Sequence, residues 1–178
     1  MKSVAQTRPE QASDPLASWN GVYTSPAEIG SFSGTALILD KRKDDHDLFY
    51  RMRFYTDSRD VNEIQEDEKF GSALADGEQL FLPEASAKKE DGTITTFAHI
   101  DRYRRTTINS HVVLMRDDAW KAYTEQNALY DYGILIKVES KDGLLTDLKK
   151  VKHESIKSLY ADPSKPWNDP FVFGPNSR

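Results

Sequence analysis

The side chains of this chain best suited to proton chemistry are its histidines, His46, His99, His111 and His153. His99 and His111 fall on two segments expected to pair as strands. Facing the same way, they could ligate an ion or act as a general base, with Asp101 orienting one of them. Hydrogen-bonded residues of a strand wall are the plainer account of the same pattern. His46 sits in a charged turn and His153 in a charged helical stretch, where surface roles are expected. His153-Glu154 lacks the second histidine of a zinc helix. Gly30-Ser-Phe-Ser-Gly34 carries Phe32 where a nucleophile elbow needs serine. No glycine-rich phosphate loop and no cofactor motif is present, so no cofactor is expected.

Arginines at alternate positions, Arg51 with Arg53 and Arg102 with Arg104, present forked donors that suit a carboxylate or phosphate. Pointing inward they would make a basic pocket. Pointing outward they are a wet face whose stems cover aromatic neighbours. The acids Asp57, Asp60, Glu63, Glu66, Asp67 and Glu68 lack the spacing and glycine of a calcium loop and read as a solvated face.

These groups need elements to position them. The dominant stretch is Gly30 to Tyr55, two arms rich in aromatic and branched residues around the charged turn Lys41 to Asp47. That is a long antiparallel hairpin. Leu48, Tyr50, Met52 and Phe54 share one face of the second arm, and Phe49, Arg51, Arg53 and Tyr55 the other. The first set is the more apolar, so it is expected to face inward and the arginines outward.

Before the hairpin, Leu16 to Thr24 is the first strand candidate, with Trp19, Gly21 and Tyr23 on one parity. After it, Asp57 to Lys69 reads as a loop, with one helical turn at most. Asp76-Gly77 between apolar runs signals a hairpin of Phe70–Ala75 with Gln79–Pro83. A strand over Thr93–Arg105 then pairs with Ile108–Met115 across Thr106-Thr107. Asp117 or Asp118 caps a helix carrying Ala119, Trp120 and Tyr123. Gly133–Glu139 is the last clear strand. Residues 144–160 fit a second helix better than a strand, and a proline-bearing tail follows.

The expected fold is therefore mainly β: an antiparallel meander closing into a barrel of about eight strands, with one internal and one C-terminal helix. A single domain over residues 16–178 follows a polar leader, 1–15, expected to be flexible. At 178 residues the chain can bury roughly 70% of its unfolded surface, enough for a real core. The absence of cysteine excludes disulfides and thiolate metal sites. A net charge of -5 with 30% charged residues argues against a nucleic-acid partner. No run is long enough for a transmembrane helix. The leader fits a cytoplasmic terminus, or a cell-envelope or secreted protein from which a signal has been trimmed.

With Trp19-Asn-Gly-Val-Tyr23 opening the chain's first strand, a glycine-marked second strand and a meander after it, the pattern resembles the calycins, the lipocalin-like small barrels. Lipocalins open with Gly-x-Trp where this chain has Trp19-x-Gly21, and the helix before the last strand is a further departure. Arg102-Tyr-Arg104 followed by an Asp-Asp helix also resembles a group of uncharacterised bacterial barrel proteins. Both resemblances imply a fold and no activity. On a hollow barrel the function expected is binding of a small apolar or amphipathic molecule. The ligand-binding candidates are Trp19, Tyr23, Tyr50, Met52, Phe54, His99 and His111. The alternatives are a filled barrel acting as an interaction or structural module, and an enzyme using His99, His111 and Asp101.

Overall fold

A computed structural model describes residues 15–25, 34–41, 47–58, 63–129, 133–139 and 159. The central hairpin is formed by β2 (Gly34–Lys41) and β3 (Leu48–Ser58), paired from Gly34 opposite Tyr55 to Lys41 opposite Leu48. Leu37 lies opposite Met52 and Leu39 opposite Tyr50, and all four are buried in one cluster. Arg51, on the other parity, is exposed. The parity argument therefore sets the correct face inward.

The other strands are β1 (Gly21–Thr24), β4 (Glu63–Asp76), β5 (Gln79–Lys88), β6 (Ile94–Ile108), β7 (His111–Met115) and β8 (Ile134–Val138). A helix, α1 (Asp117–Glu125), joins β7 to β8. Every strand is antiparallel to its neighbours in chain order, and β1 pairs with β8, so the sheet closes into an eight-stranded barrel. Closure leaves no unpaired sheet edge among these strands.

Several expectations are corrected. The first strand is short, because Ala17–Trp19 is a turn of 3-10 helix. The Ser18 hydroxyl donates to the Pro15 carbonyl at 2.8 Å, a local bond that competes with extended backbone. The acidic stretch from Asp57 to Lys69 is largely strand: β3 runs on to Ser58 and β4 starts at Glu63. It lacks an apolar alternation because its partner strand supports it. Arg53 lies opposite Glu68, and their side chains form an ion pair at 2.9 Å.

Two turns also move. Gly77 and Glu78 make the two-residue loop between Asp76 and Gln79. Gly77 takes φ +60° and Glu78 stays out of the left-handed region, which is the II′ pattern. The β6–β7 turn is Asn109-Ser110 rather than Thr106-Thr107, with φ of 50° and 69° as a type I′ turn requires. At α1 the capping position belongs to Arg116 rather than to an aspartate. The Asp118 carboxylate instead accepts the Ala119 N–H at 2.8 Å from within the first turn.

Two clusters make the core. Inside the barrel lie Trp19, Tyr23, Leu37, Leu39, Leu48, Tyr50, Leu80, Tyr103, Leu114 and their neighbours. Outside, Ile108, Val113, Met115, Ile134 and Ile136 form a second apolar face covered by Ala119, Trp120 and Tyr123 of α1. Leu159 joins this outer cluster, and its carbonyl accepts a 3.0 Å bond from Asn109 Nδ2. Apart from Leu159, which is helical, the expected second helix over 144–160 lies outside the described residues, as does the leader apart from Pro15. No helix among the described residues is long and apolar enough to cross a membrane.

Candidate functional site

The two ends of the barrel differ. At the end where β1 begins, Trp19 is drawn in from the 3-10 turn and is only 2% exposed. The Arg105 guanidinium lies 3.8 Å from its ring centroid. Arg105 also donates to both carboxylate oxygens of Glu78, at 2.7 and 3.1 Å, and to Ser18 Oγ at 3.0 Å. Tyr23 donates its hydroxyl to the Trp19 carbonyl at 2.8 Å. Leu37, Leu48, Leu80 and Leu114 are fully buried beside them, so large side chains fill this half among the described residues.

The opposite half holds a partly open cavity of about 200 Å³. Tyr50, Met52 and Phe54 of β3, Leu82 and Ala85 of β5, Lys69 of β4, Asp101 of β6 and Arg116 line it. The sequence makes this room in two ways. On β4 the inward positions opposite Tyr50 and Leu48 are Gly71 and Ala73, small residues facing large ones. A Cβ on Gly71 would stand 2.8 Å from the Glu84 carbonyl oxygen and 3.0 Å from the Tyr50 ring. Those are the two partners of the hydrogen bond that Tyr50 donates to Glu84, so glycine is what lets the ring lie flat there.

The second device is a bulge. Leu82 lies opposite Asp101 but Glu84 lies opposite Ala98, so Pro83 alone faces both His99 and Ile100. Proline has no N–H to give the ladder, and an extra residue opposite it is a natural accommodation. β5 carries one further extra residue against β4. Beyond these irregularities Ala85 faces inward, opposite Phe97. A small alanine thus sits where a continued alternation would have placed Glu84.

Charge enters the cavity at its rim. Arg116 follows β7 on the parity of the inward residues Val112 and Leu114, and its Nη2 lies 3.1 Å from Asp101 Oδ1. It also hydrogen-bonds the Tyr103 hydroxyl. The Lys69 ammonium lies between two aromatic faces, 5.5 Å from the Phe54 centroid and 5.2 Å from that of Phe97. Burial, reinforced by the Asp101 and Tyr103 charges, pushes the Tyr50 hydroxyl up to about 12. Burial raises Tyr103 as well. Both phenols therefore stay protonated at neutral pH, as hydrogen-bonding groups rather than bases.

The expected site residues are only partly brought together. Tyr50, Met52 and Phe54 line the cavity. Trp19 and Tyr23 belong to the solid half and do not touch it. His111 starts β7 opposite Ile108, on the outer parity of Val113 and Met115, at the solid end. The backbone of His99 is in the bulge near the open end, nine residues up β6 from Ile108. At strand rise that is roughly 30 Å, so the two histidines do not form one site. Asp101 faces the cavity in an ion pair with Arg116.

The arginines pair or stack outside: Arg53 with Glu68, Arg102 over Phe81 and 3.6 Å from Asp117, Arg104 over Trp120. Among the described residues no three His, Asp or Glu side chains converge as a metal would need. Lys69, Leu82, Ala85 and Arg116 are the cavity residues that sequence reading missed. The available signal was the alternation of Gly71, Ala73 and Ala75, a row of small residues implying a large-residue partner strand across from it. No protein-family model matches this chain, and no curated protein or solved structure matches it significantly.

Proposed function

We propose that this chain is a small-molecule-binding barrel of calycin type, whose site is the cavity in its open half. The observation that carries the reading is the contrast between the halves. At one end large, fully buried side chains pack around Trp19, while the other keeps about 200 Å³ unfilled between Tyr50, Met52, Phe54 and Leu82. Apolar walls with a few convergent polar groups are the usual composition of a ligand pocket. The space exceeds the roughly 150 Å³ in which an engineered apolar cavity holds benzene. An environment-sensitive apolar dye tests the proposal. It should bind saturably, and Met52→Trp should abolish binding while the thermal midpoint holds or rises, because the indole fills the space. Absent saturation in the wild type, or undiminished binding in the variant, would remove the reading.

The interaction-module alternative draws on exposed Leu74 and Ile94, each 56% accessible. Isolated apolar side chains of this kind are ordinary on protein surfaces, so the cavity is the stronger feature.

A further inference from the structure

The chemistry of the rim narrows what the cavity can hold. Three charged side chains line it, Lys69, Asp101 and Arg116. Asp101 and Arg116 neutralise one another at 3.1 Å. Among the described residues Lys69 has no carboxylate within ion-pairing distance; its neighbours there are the Phe54 and Phe97 rings. Aromatic faces attract an ammonium, but they use few of its three N–H donors. Lys69 is half-buried, so part of its hydration is already lost. Among the described side chains of the lining the balance is therefore one surplus positive charge, carried by Lys69.

Resting on the reading of the cavity as a ligand site, we propose that the molecule bound is a small amphipathic monocarboxylate. Its apolar body lies against Met52, Leu82 and Tyr50, and its carboxylate meets Lys69 at the rim, with Arg116 alongside. A single surplus cation matches a singly charged acid better than a dianion. The volume sets the size: scaled from benzene in its cavity, about 200 Å³ takes a body of about eight non-hydrogen atoms. A phenyl or short branched acid fits this limit, and a long acyl chain exceeds it.

Calorimetric titration of the full chain with phenylacetate, 2-phenylethanol and 2-phenylethylamine tests the inference, because the three share a body and differ in charge. Phenylacetate should bind at least about tenfold tighter than the alcohol, and the amine weakest. Lys69→Gln should bring the acid's affinity down to that of the alcohol, while Lys69→Arg should retain the preference. Hexadecanoate should not compete with phenylacetate. Equal binding of acid and alcohol would overturn the carboxylate assignment and leave the ligand site standing. Competition by hexadecanoate would overturn the size limit. Failure of every probe while the apolar dye binds overturns the acid alone; failure of the dye as well removes the site and the acid together.

Discussion

Arg105 lies over the indole of Trp19, 3.8 Å from ring centroid to guanidinium carbon, and closes the solid end of the barrel. The same guanidinium is held in place by a two-point bond to Glu78 and a third bond to Ser18. The Arg105 bond to Glu78 holds the Glu78 carboxyl below the usual carboxylate range. A depressed acid contributes stability above its unfolded value and loses it as pH falls through the folded one. Arg105→Met keeps an apolar stem over the ring and removes the charge. It should cost about 1–2 kcal/mol at neutral pH in urea unfolding. Glu78 is largely exposed, so its share of that cost is small, fading with added salt and toward acid pH. A cost that does not change from neutral to acid pH would detach Glu78 from the arrangement.

Trp19→Ala should be far more damaging, on the order of 3–5 kcal/mol, because the indole is almost fully enclosed. Urea unfolding reads the loss directly. A value under about 1 kcal/mol would mean that the solid end can rearrange around the gap.

Tyr23 and Tyr50 are both pushed up to about 12, chiefly by burial. Their unfolded value lies near 10, so the neutral phenols stabilise the fold up to that pH. The contribution is then lost between about pH 10 and 12, at up to about 1.4 kcal/mol per pH unit for Tyr23 and less for Tyr50, which solvent reaches through the cavity. Alkaline unfolding should therefore be steep, with phenolate absorbance from these residues appearing only as the fold is lost. Tyr23→Phe should flatten the dependence. An unchanged slope in that variant would place the buried titration elsewhere.

Asp101→Asn removes the carboxylate that pairs with Arg116 and that helps to raise Tyr50 and Tyr103. Two changes are expected together: a loss of about 1–3 kcal/mol and an onset of Tyr50 ionisation at lower pH. Spectrophotometric titration beside urea unfolding checks both. A destabilised variant with an unmoved phenol would show that Asp101 acts on the Arg116 side of the cavity alone.

Gly71→Ala puts a methyl group against the Glu84 carbonyl and the Tyr50 ring. Neither neighbour is the far end of a flexible chain, so backbone or ring must shift, at about 1–3 kcal/mol. Dye binding should fall along with stability, because the displaced ring moves into the cavity. Retained stability with full dye binding would show that β4 and β5 separate easily.

What could be read from the residues divides by which physical pattern carried it. The inward set Leu48, Tyr50, Met52 and Phe54 was legible because strand parity acts within one strand and needs no partner. Closure of the meander was legible from its succession of short connections. Lys69 was not, because β4 is extended there by pairing with β3 rather than by any alternation of its own. Only once that pairing is known does Lys69 fall opposite Met52 and so turn inward. Trp19 was rightly placed in the core, but on the wrong element, since the Ser18 bond bends the chain one turn earlier than its aromatic spacing implied. The separation of His99 from His111 depended on the Asn109-Ser110 turn. A turn three residues earlier would have drawn His111 closer to the open end.

The seam of the barrel joins β1 to β8 through Val22 with Val138, Tyr23 with Lys137 and Thr24 with Ile136. The other pairings join strands consecutive in the chain, β7 to β8 by way of α1, and can assemble in order as the chain leaves the ribosome. The seam cannot, because its first strand is made near the start of the barrel and its last near the finish. β1 must keep the apolar Val22 and Tyr23 out of wrong pairings until β8 arrives. Contacts this distant along the chain slow folding, into the range of milliseconds to seconds typical of such topologies. The closure that removes sheet edges from the finished molecule thus leaves them exposed longest in the unfinished one, and that interval is when chaperones have most to protect.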